Sequence, residues 1–145
     1  EQDGETLVLV TADHETGGLS VGSGTSGENY YYWDLDVLKT FKHTTAKMAT
    51  DAQKSGDLLA EFNKATSLTL TPAEEQILKQ ADLSDWYLTR RAATQVINAR
   101  SYTGWTTFGH TGVDVNLIAF GAGSEAFKGH YDNSEIGQML LNILK

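Results

Sequence analysis

The chain has 145 residues, of which 40% are hydrophobic and 21% charged, a balance that excludes wholesale disorder and allows one domain of ordinary size. It contains no cysteine, which excludes a disulfide scaffold and a cysteine-ligated zinc site. The formal net charge of −8 argues against nucleic acid or an anionic membrane as the main partner, and no apolar run approaches the length of a membrane span.

The first predicted element is a strand. Residues 6–12 form a continuous β-branched and apolar run, which is typical of a strand buried on both faces in the centre of a parallel sheet. Because such a strand needs neighbours and long crossover connections, we expect further residues of a parent protein upstream of Glu1. In the chain by itself, one edge of this strand is expected to be exposed. We therefore expect either that the chain self-associates or that the strand is rearranged.

The middle of the chain is helical in pattern. Apolar spacing predicts helices over residues 34–53, 57–65 and 84–99, the last opened by Ser84. A further helix is predicted from the segment Thr-Pro-Ala-Glu at residues 71–74, with a threonine N-cap, a proline at the first helical position and a glutamate three residues after the cap.

The last part of the chain predicts a strand over residues 115–120 and a helix opened by Asp132 or Asn133. Glu135 completes a capping box if Asp132 is the cap. We expect the buried stripe of this helix to consist of apolar residues at helical spacing: Ile136, Met139, Leu140, Ile143 and Leu144.

The charge is distributed unevenly along these elements. Residues 34–100 hold nine basic and nine acidic side chains, so the flanks carry the whole −8. Two acidic flanks around a neutral middle segment indicate that the middle segment is inserted into a parent fold. We therefore predict an α/β fold in which residues 1–33 and 101–145 form a partial sheet with flanking helices, and residues 34–100 form a helical insertion.

Asp13 and His14 directly follow the first strand. In open α/β sheets, ligands bind just outside the carboxyl ends of the strands. A carboxylate oxygen beside an imidazole nitrogen can reach one metal ion, and this donor pair suits Zn²⁺. Gly17 and Gly18 allow a sharp turn afterwards. The spacing alone also fits an ordinary strand end in which Asp13 caps a turn.

His110 lies in a loop rich in glycine and threonine, immediately before the strand at residues 115–120. A loop of this composition is typical of a backbone that closely approaches another group. Taken alone, His110 fits a turn residue as well as a metal ligand.

Together these segments resemble the C-terminal part of an alkaline phosphatase. The resemblance rests on Thr-Ala-Asp-His-Glu-Thr-Gly-Gly at residues 11–18, on His-Thr-Gly at 110–112, and on Ala-Phe-Gly-Ala-Gly-Ser at 119–124 followed by Asp-Asn-Ser-Glu-Ile at 132–136. The three signals occur in the family's order. The helical middle stands where the family places a variable insertion near the active-site entrance.

The resemblance implies a zinc-dependent enzyme that hydrolyses phosphate monoesters through a phosphoserine intermediate, with two zinc ions and a nearby magnesium. The residues matching Asp13 and His14 bind the zinc that activates the serine nucleophile, and the residue matching His110 binds the other zinc. The resemblance also implies a parent protein that is periplasmic or secreted and forms a homodimer.

Nothing in the chain matches the family's nucleophilic serine segment, its phosphate-binding arginine or its magnesium-binding acids. We therefore expect no catalytic residue in these 145 residues, no activity of the chain alone, and zinc binding that is absent or partial. Two alternatives stay open. The parent is another metalloenzyme of the same superfamily, such as a phosphodiesterase, sulfatase or mutase, or the chain is a non-enzymatic helical interaction module.

Overall fold

The computed structural model describes residues 4–22 and 32–144. Its strands are β1 (Leu7–Val10), β2 (Ser20–Val21), β3 (Thr103–Gly104) and β4 (Ile118–Gly121), and its helices are α1 (Leu35–Lys39), α2 (Thr45–Ser55), α3 (Leu58–Ala65), α4 (Pro72–Lys79), α5 (Trp86–Ser101) and α6 (Asn133–Ile143). This mixture of helices and strands confirms the predicted α/β class. Among the described residues, no helix is both long enough and apolar enough to cross a membrane.

The chain divides into two compact units. Residues 1–17 and 109–145 form one, and residues 18–108 form the other. We call the second the helical unit, since it holds α1 to α5 together with the short pair β2–β3. The insertion expected at residues 34–100 stays a prediction.

The core of the helical unit lies where α2, α3, α4 and α5 meet. Phe62 and Ala93 are fully buried there, and Met48, Leu58 and Val96 nearly so. Burial of the four larger side chains contributes about 1.5–3 kcal/mol each, which stabilises helices too short to persist alone.

Side-chain caps set where these helices begin. The Thr71 hydroxyl accepts from the Glu74 amide and the Glu74 carboxylate accepts from the Thr71 amide, which confirms the predicted capping box. Asp57 caps α3 by accepting from the Ala60 amide, so the helix predicted over residues 57–65 is confirmed.

Two helix predictions need correction. The single helix predicted over residues 34–53 is divided, because Thr44 accepts from the Lys47 amide and so begins a separate helix, α2. The helix predicted to open at Ser84 begins later, since Asp85 accepts from the amides of Tyr87 and Leu88. In both cases a side-chain cap decided the boundary within a broader apolar pattern.

In the other unit, β1 pairs antiparallel with β4, with Val8 opposite Phe120 and Val10 opposite Ile118. These four side chains lie on one face of the strand pair and are 45–61% exposed. The prediction of a strand buried on both faces in a parallel sheet is therefore wrong for this chain, because among the described residues no second layer covers this face.

The final helix begins as expected but packs differently. Asp132 caps α6 and Glu135 completes the capping box. The predicted buried stripe is wrong, since α6 has no buried residue, and Leu140, Ile143 and Leu144 are 37%, 52% and 83% exposed. Ile136 and Met139 of the stripe are half-buried, so the amphipathic face is present but only partly covered.

Candidate metal centre

Asp13 and His14 lie in the segment that follows β1. Their side chains are 87% and 39% exposed. The His14 amide donates to Oδ1 of Asp13 at 3.1 Å, and Oδ2 lies 3.4 Å from Nε2 of the His14 ring. The carboxylate and the imidazole therefore face each other, which adjacency in the sequence alone does not guarantee.

The carbonyl oxygen of Glu15 orients the His14 ring. Nδ1 lies 2.9 Å from the carbonyl oxygen of Glu15. A carbonyl oxygen only accepts, so Nδ1 carries the hydrogen and the lone pair of the neutral ring is on Nε2. A histidine ligand in proteins commonly donates its other ring nitrogen in this manner, which fixes the ring orientation.

The donor pair fits one divalent ion of the zinc type. With ligand bonds of about 2.0–2.2 Å, two neighbouring corners of a tetrahedron are about 3.3–3.6 Å apart. The Asp13 Oδ2 to His14 Nε2 separation of 3.4 Å lies in this range.

His110 lies against His14 although 95 residues separate them in the chain. The two rings stack with their centroids 3.5 Å apart and their planes at 28°. The structure thus brings all three predicted ligand residues to one place. The ring contact shows that His14 and His110 lie close together, and the role of the three residues as ligands stays a prediction.

The three side chains do not form a complete site for one ion. Across residues 4–22 and 32–144, no group of three or more His, Asp or Glu side chains is arranged to hold a metal. Asp13 and His14 supply two donors and His110 supplies one, whereas tetrahedral zinc takes four ligands. This donor set fits a partial contribution to two neighbouring ions.

The turn after His14 depends on its glycines. Gly17 and Gly18 have φ values of +84° and +65°, which residues with a Cβ rarely adopt, so the sharp turn predicted here is confirmed.

The sequence interpretation missed two residues beside the predicted ligands. The Thr111 hydroxyl donates to Oε2 of Glu15, and both side chains are partly buried. Their position directly after the predicted ligands marked Glu15 and Thr111 as candidates for a supporting role. The sequence of either segment does not indicate that these two residues contact each other.

Part of a solved enzyme has the same fold. The described arrangement resembles the crystal structure of a cold-active alkaline phosphatase from a psychrophilic Shewanella, with a TM-score of 0.80 and 38% sequence identity. The match covers 98% of this chain and 35% of that one.

The family model for alkaline phosphatase matches residues 1–145, and the chain belongs to the alkaline phosphatase family. It is 38% identical to Alkaline phosphatase 3 and 34% identical to Alkaline phosphatase 4 of Bacillus subtilis, in each case over 100% of this chain. It is 29% identical over 99% of its length to the Repressible alkaline phosphatase of Saccharomyces cerevisiae. The chain spans 29–31% of the length of these relatives.

Proposed function

We propose that the chain is the C-terminal portion of a zinc-dependent alkaline phosphatase that hydrolyses phosphate monoesters through a phosphoserine intermediate. In this proposal Asp13 and His14 serve one zinc ion, His110 serves the other, and the whole protein also holds magnesium. The observation that carries the proposal is the ring contact between His14 and His110. The whole protein is proposed to act as a homodimer in the periplasm or outside the cell.

The chemistry proposed for these residues is binding and orientation. Two close-set divalent ions, when bound, stabilise the attacking and leaving oxygens of an in-line displacement at phosphorus. The Glu15 carbonyl holds the hydrogen of His14 on Nδ1 and leaves Nε2 free to bind. Both imidazoles must be unprotonated to act as ligands, so metal binding is expected to weaken in acid.

The chain by itself is expected to bind zinc weakly and to lack phosphatase activity. Complete zinc sites contribute about 10–16 kcal/mol, and about half of the ligands corresponds to a Kd between about 1 µM and 1 mM. Calorimetric titration with ZnCl₂ checks the affinity, and release of p-nitrophenol from p-nitrophenyl phosphate checks the activity. Turnover by the purified 145-residue chain with added zinc would contradict the proposal that its nucleophile is supplied from elsewhere.

A chimera tests the function of the whole site. This chain replaces the matching segment of a full-length Bacillus subtilis alkaline phosphatase, to which it aligns over all of its length. We expect the chimera to hydrolyse p-nitrophenyl phosphate, and His14→Ala or His110→Ala to lower kcat/KM at least about 100-fold. His130→Ala is the matched control, since His130 is 82% exposed and lies outside the ligand set.

The same chimera separates the related enzyme classes. Activity is measured in parallel on a phosphate monoester, a phosphate diester and a sulfate ester of p-nitrophenol. A preference for the monoester supports the proposal. A chimera that folds and retains its activity after His110→Ala would refute the assigned role of His110.

A further inference from the structure

We propose that Glu15 and Thr111 are positioning residues, which form a clasp that holds His14 and His110 together before any metal is bound. The clasp is the hydrogen bond from the Thr111 hydroxyl to the Glu15 carboxylate. Its use in metal binding rests on the proposed function, whereas its effect on the two rings does not.

The position of the clasp is the first support. Glu15 directly follows His14, and Thr111 directly follows His110. The hydrogen bond and the ring contact therefore join the same two segments one residue apart. All four residues belong to the unit formed by residues 1–17 and 109–145.

The type of hydrogen bond is the second support. A hydroxyl that donates to a carboxylate forms a charge-assisted bond, which is stronger than one between neutral groups. Glu15 and Thr111 are both partly buried, which limits competition from water. His110, in contrast, is exposed, so ring stacking alone competes with solvent and with the freedom of a glycine-rich loop.

Glu15 also acts on His14 through its backbone. Its carbonyl oxygen accepts from Nδ1 of His14 at 2.9 Å, while its carboxylate accepts from Thr111. One residue thus fixes the orientation of the first imidazole and links it to the segment that carries the second. Such preorganisation removes part of the ordering cost when an ion binds.

The test uses the intact 145-residue chain without metal. Labelled histidine side chains are followed by NMR, and nuclear Overhauser effects between the two rings report their contact. We expect these effects in the wild type, their loss in Thr111→Val and their return in Thr111→Ser, which keeps the hydroxyl. Thr111→Val leaves the charge of Glu15 in place, so it isolates the hydrogen bond.

The matched control is Thr16→Val, which makes the same chemical change at the exposed residue beside Glu15. We expect it to keep the ring contact. Unchanged amide signals of the strand pair β1–β4 show that the unit that holds the clasp is folded in each variant. Persistence of the ring contact in Thr111→Val, or its absence in the wild type, would overturn the clasp.

A zinc titration of the same samples distinguishes the clasp from the proposed function. We expect Thr111→Val to weaken zinc binding about 10- to 100-fold relative to Thr16→Val. Equal zinc affinity in the two variants would overturn the positioning role toward the metal. If zinc shifts neither ring in the wild type while Thr111→Val still separates the rings, the clasp stands, whereas the proposed function is refuted only by a chimera that keeps its activity after His14→Ala or His110→Ala.

Discussion

Glu74 shows how one carboxylate joins two helices of the helical unit. It accepts from the amide and hydroxyl of Thr71 at the start of α4 and from the guanidinium of Arg100 near the end of α5, with Nη2 to Oε2 at 2.6 Å. Arg100 also donates to the carbonyl of Thr69 at 2.9 Å. The Arg100 guanidinium, together with the hydrogen bonds from Thr71, lowers the pKa of Glu74 from 4.5 to about 2.

This shift predicts a stability that depends on pH. The folded-state pKa lies below the unfolded one, so the contribution is fully present above pH 4.5 and is lost as the pH falls toward 2. Its size is about 2–3 kcal/mol, since each pKa unit corresponds to about 1.4 kcal/mol and Arg100 is partly exposed to solvent.

Glu74→Gln is expected to lower the free energy of unfolding by about 2–3 kcal/mol at pH 7 and to flatten its fall between pH 4.5 and 2. Urea unfolding followed by helical circular dichroism measures both effects. Glu75→Gln is the control, because Glu75 is 42% exposed and among the described residues forms an ion pair with Lys79 along one helix, a contact worth under about 0.5 kcal/mol. Equal losses in the two variants would contradict the role assigned to Glu74.

Among single residues, the sequence predicts contacts within one helical turn better than contacts between distant segments. The capping box of Thr71 and Glu74 spans four residues and was predicted from the sequence, since its partners are fixed by helix geometry. The contact of Glu74 with Arg100 spans 26 positions and had no local signal. The sequence shows the charges of Glu74 and Arg100, but it does not show that the two side chains meet.

At the scale of elements, the pairing of β1 with β4 depends on Gly121. Its φ is +96°, and a Cβ at this position would lie 2.1 Å from the carbonyl oxygen of Thr6. That carbonyl accepts from the Ala122 amide at 3.1 Å. The end of the strand pair therefore leaves no room for a side chain.

Gly121→Ala is expected to destabilise the strand pair by about 2–4 kcal/mol, from the backbone strain and the clash together. Amide hydrogen exchange of residues 7–10 measures the loss of protection. Gly137→Ala in α6 is the matched control, since nothing lies within 4 Å of its added Cβ and alanine favours a helix by up to about 1 kcal/mol over glycine. Unchanged protection in Gly121→Ala would show that the pairing does not need this close approach.

The elements also differ in how far their patterns predicted them. The starts of α3, α4 and α6 follow from caps within one turn of each helix. The strand predicted over residues 115–120 is observed as Ile118–Gly121, because its extent is set by pairing with β1 and not by its own apolar run. Burial was the least predictable property, as the exposed side chains of α6 show.

At the scale of the molecule, the exposed face formed by Val8, Val10, Ile118 and Phe120 bears on the predicted self-association. Contiguous exposed apolar side chains favour contact with another surface. Among the described residues, β4 is the only strand paired with β1, so the strand pair also has free edges. Self-association can therefore involve this apolar face as well as the strand edge expected from the sequence.

We expect the purified chain to show concentration-dependent self-association in sedimentation velocity, and Phe120→Lys to shift it toward the monomer. A charge on this face costs free energy when it is buried in a contact between chains. Tyr87→Lys is the control, since Tyr87 is 72% exposed and lies on α5 of the helical unit. A wild-type chain that stays monomeric at all concentrations would refute this prediction.

The sequence by itself determined the alkaline phosphatase resemblance, the α/β class, the starts of α3, α4 and α6 and the three candidate ligands, because each depends on residues within a turn or a short motif. Only the tertiary structure decided that His14 stacks on His110, that Glu15 bonds Thr111, and that β1 pairs with β4 and leaves one face exposed. These contacts join residues about 100 positions apart. Their formation depends on the closure of the intervening chain and on which surfaces remain to cover one another, and no local pattern encodes either.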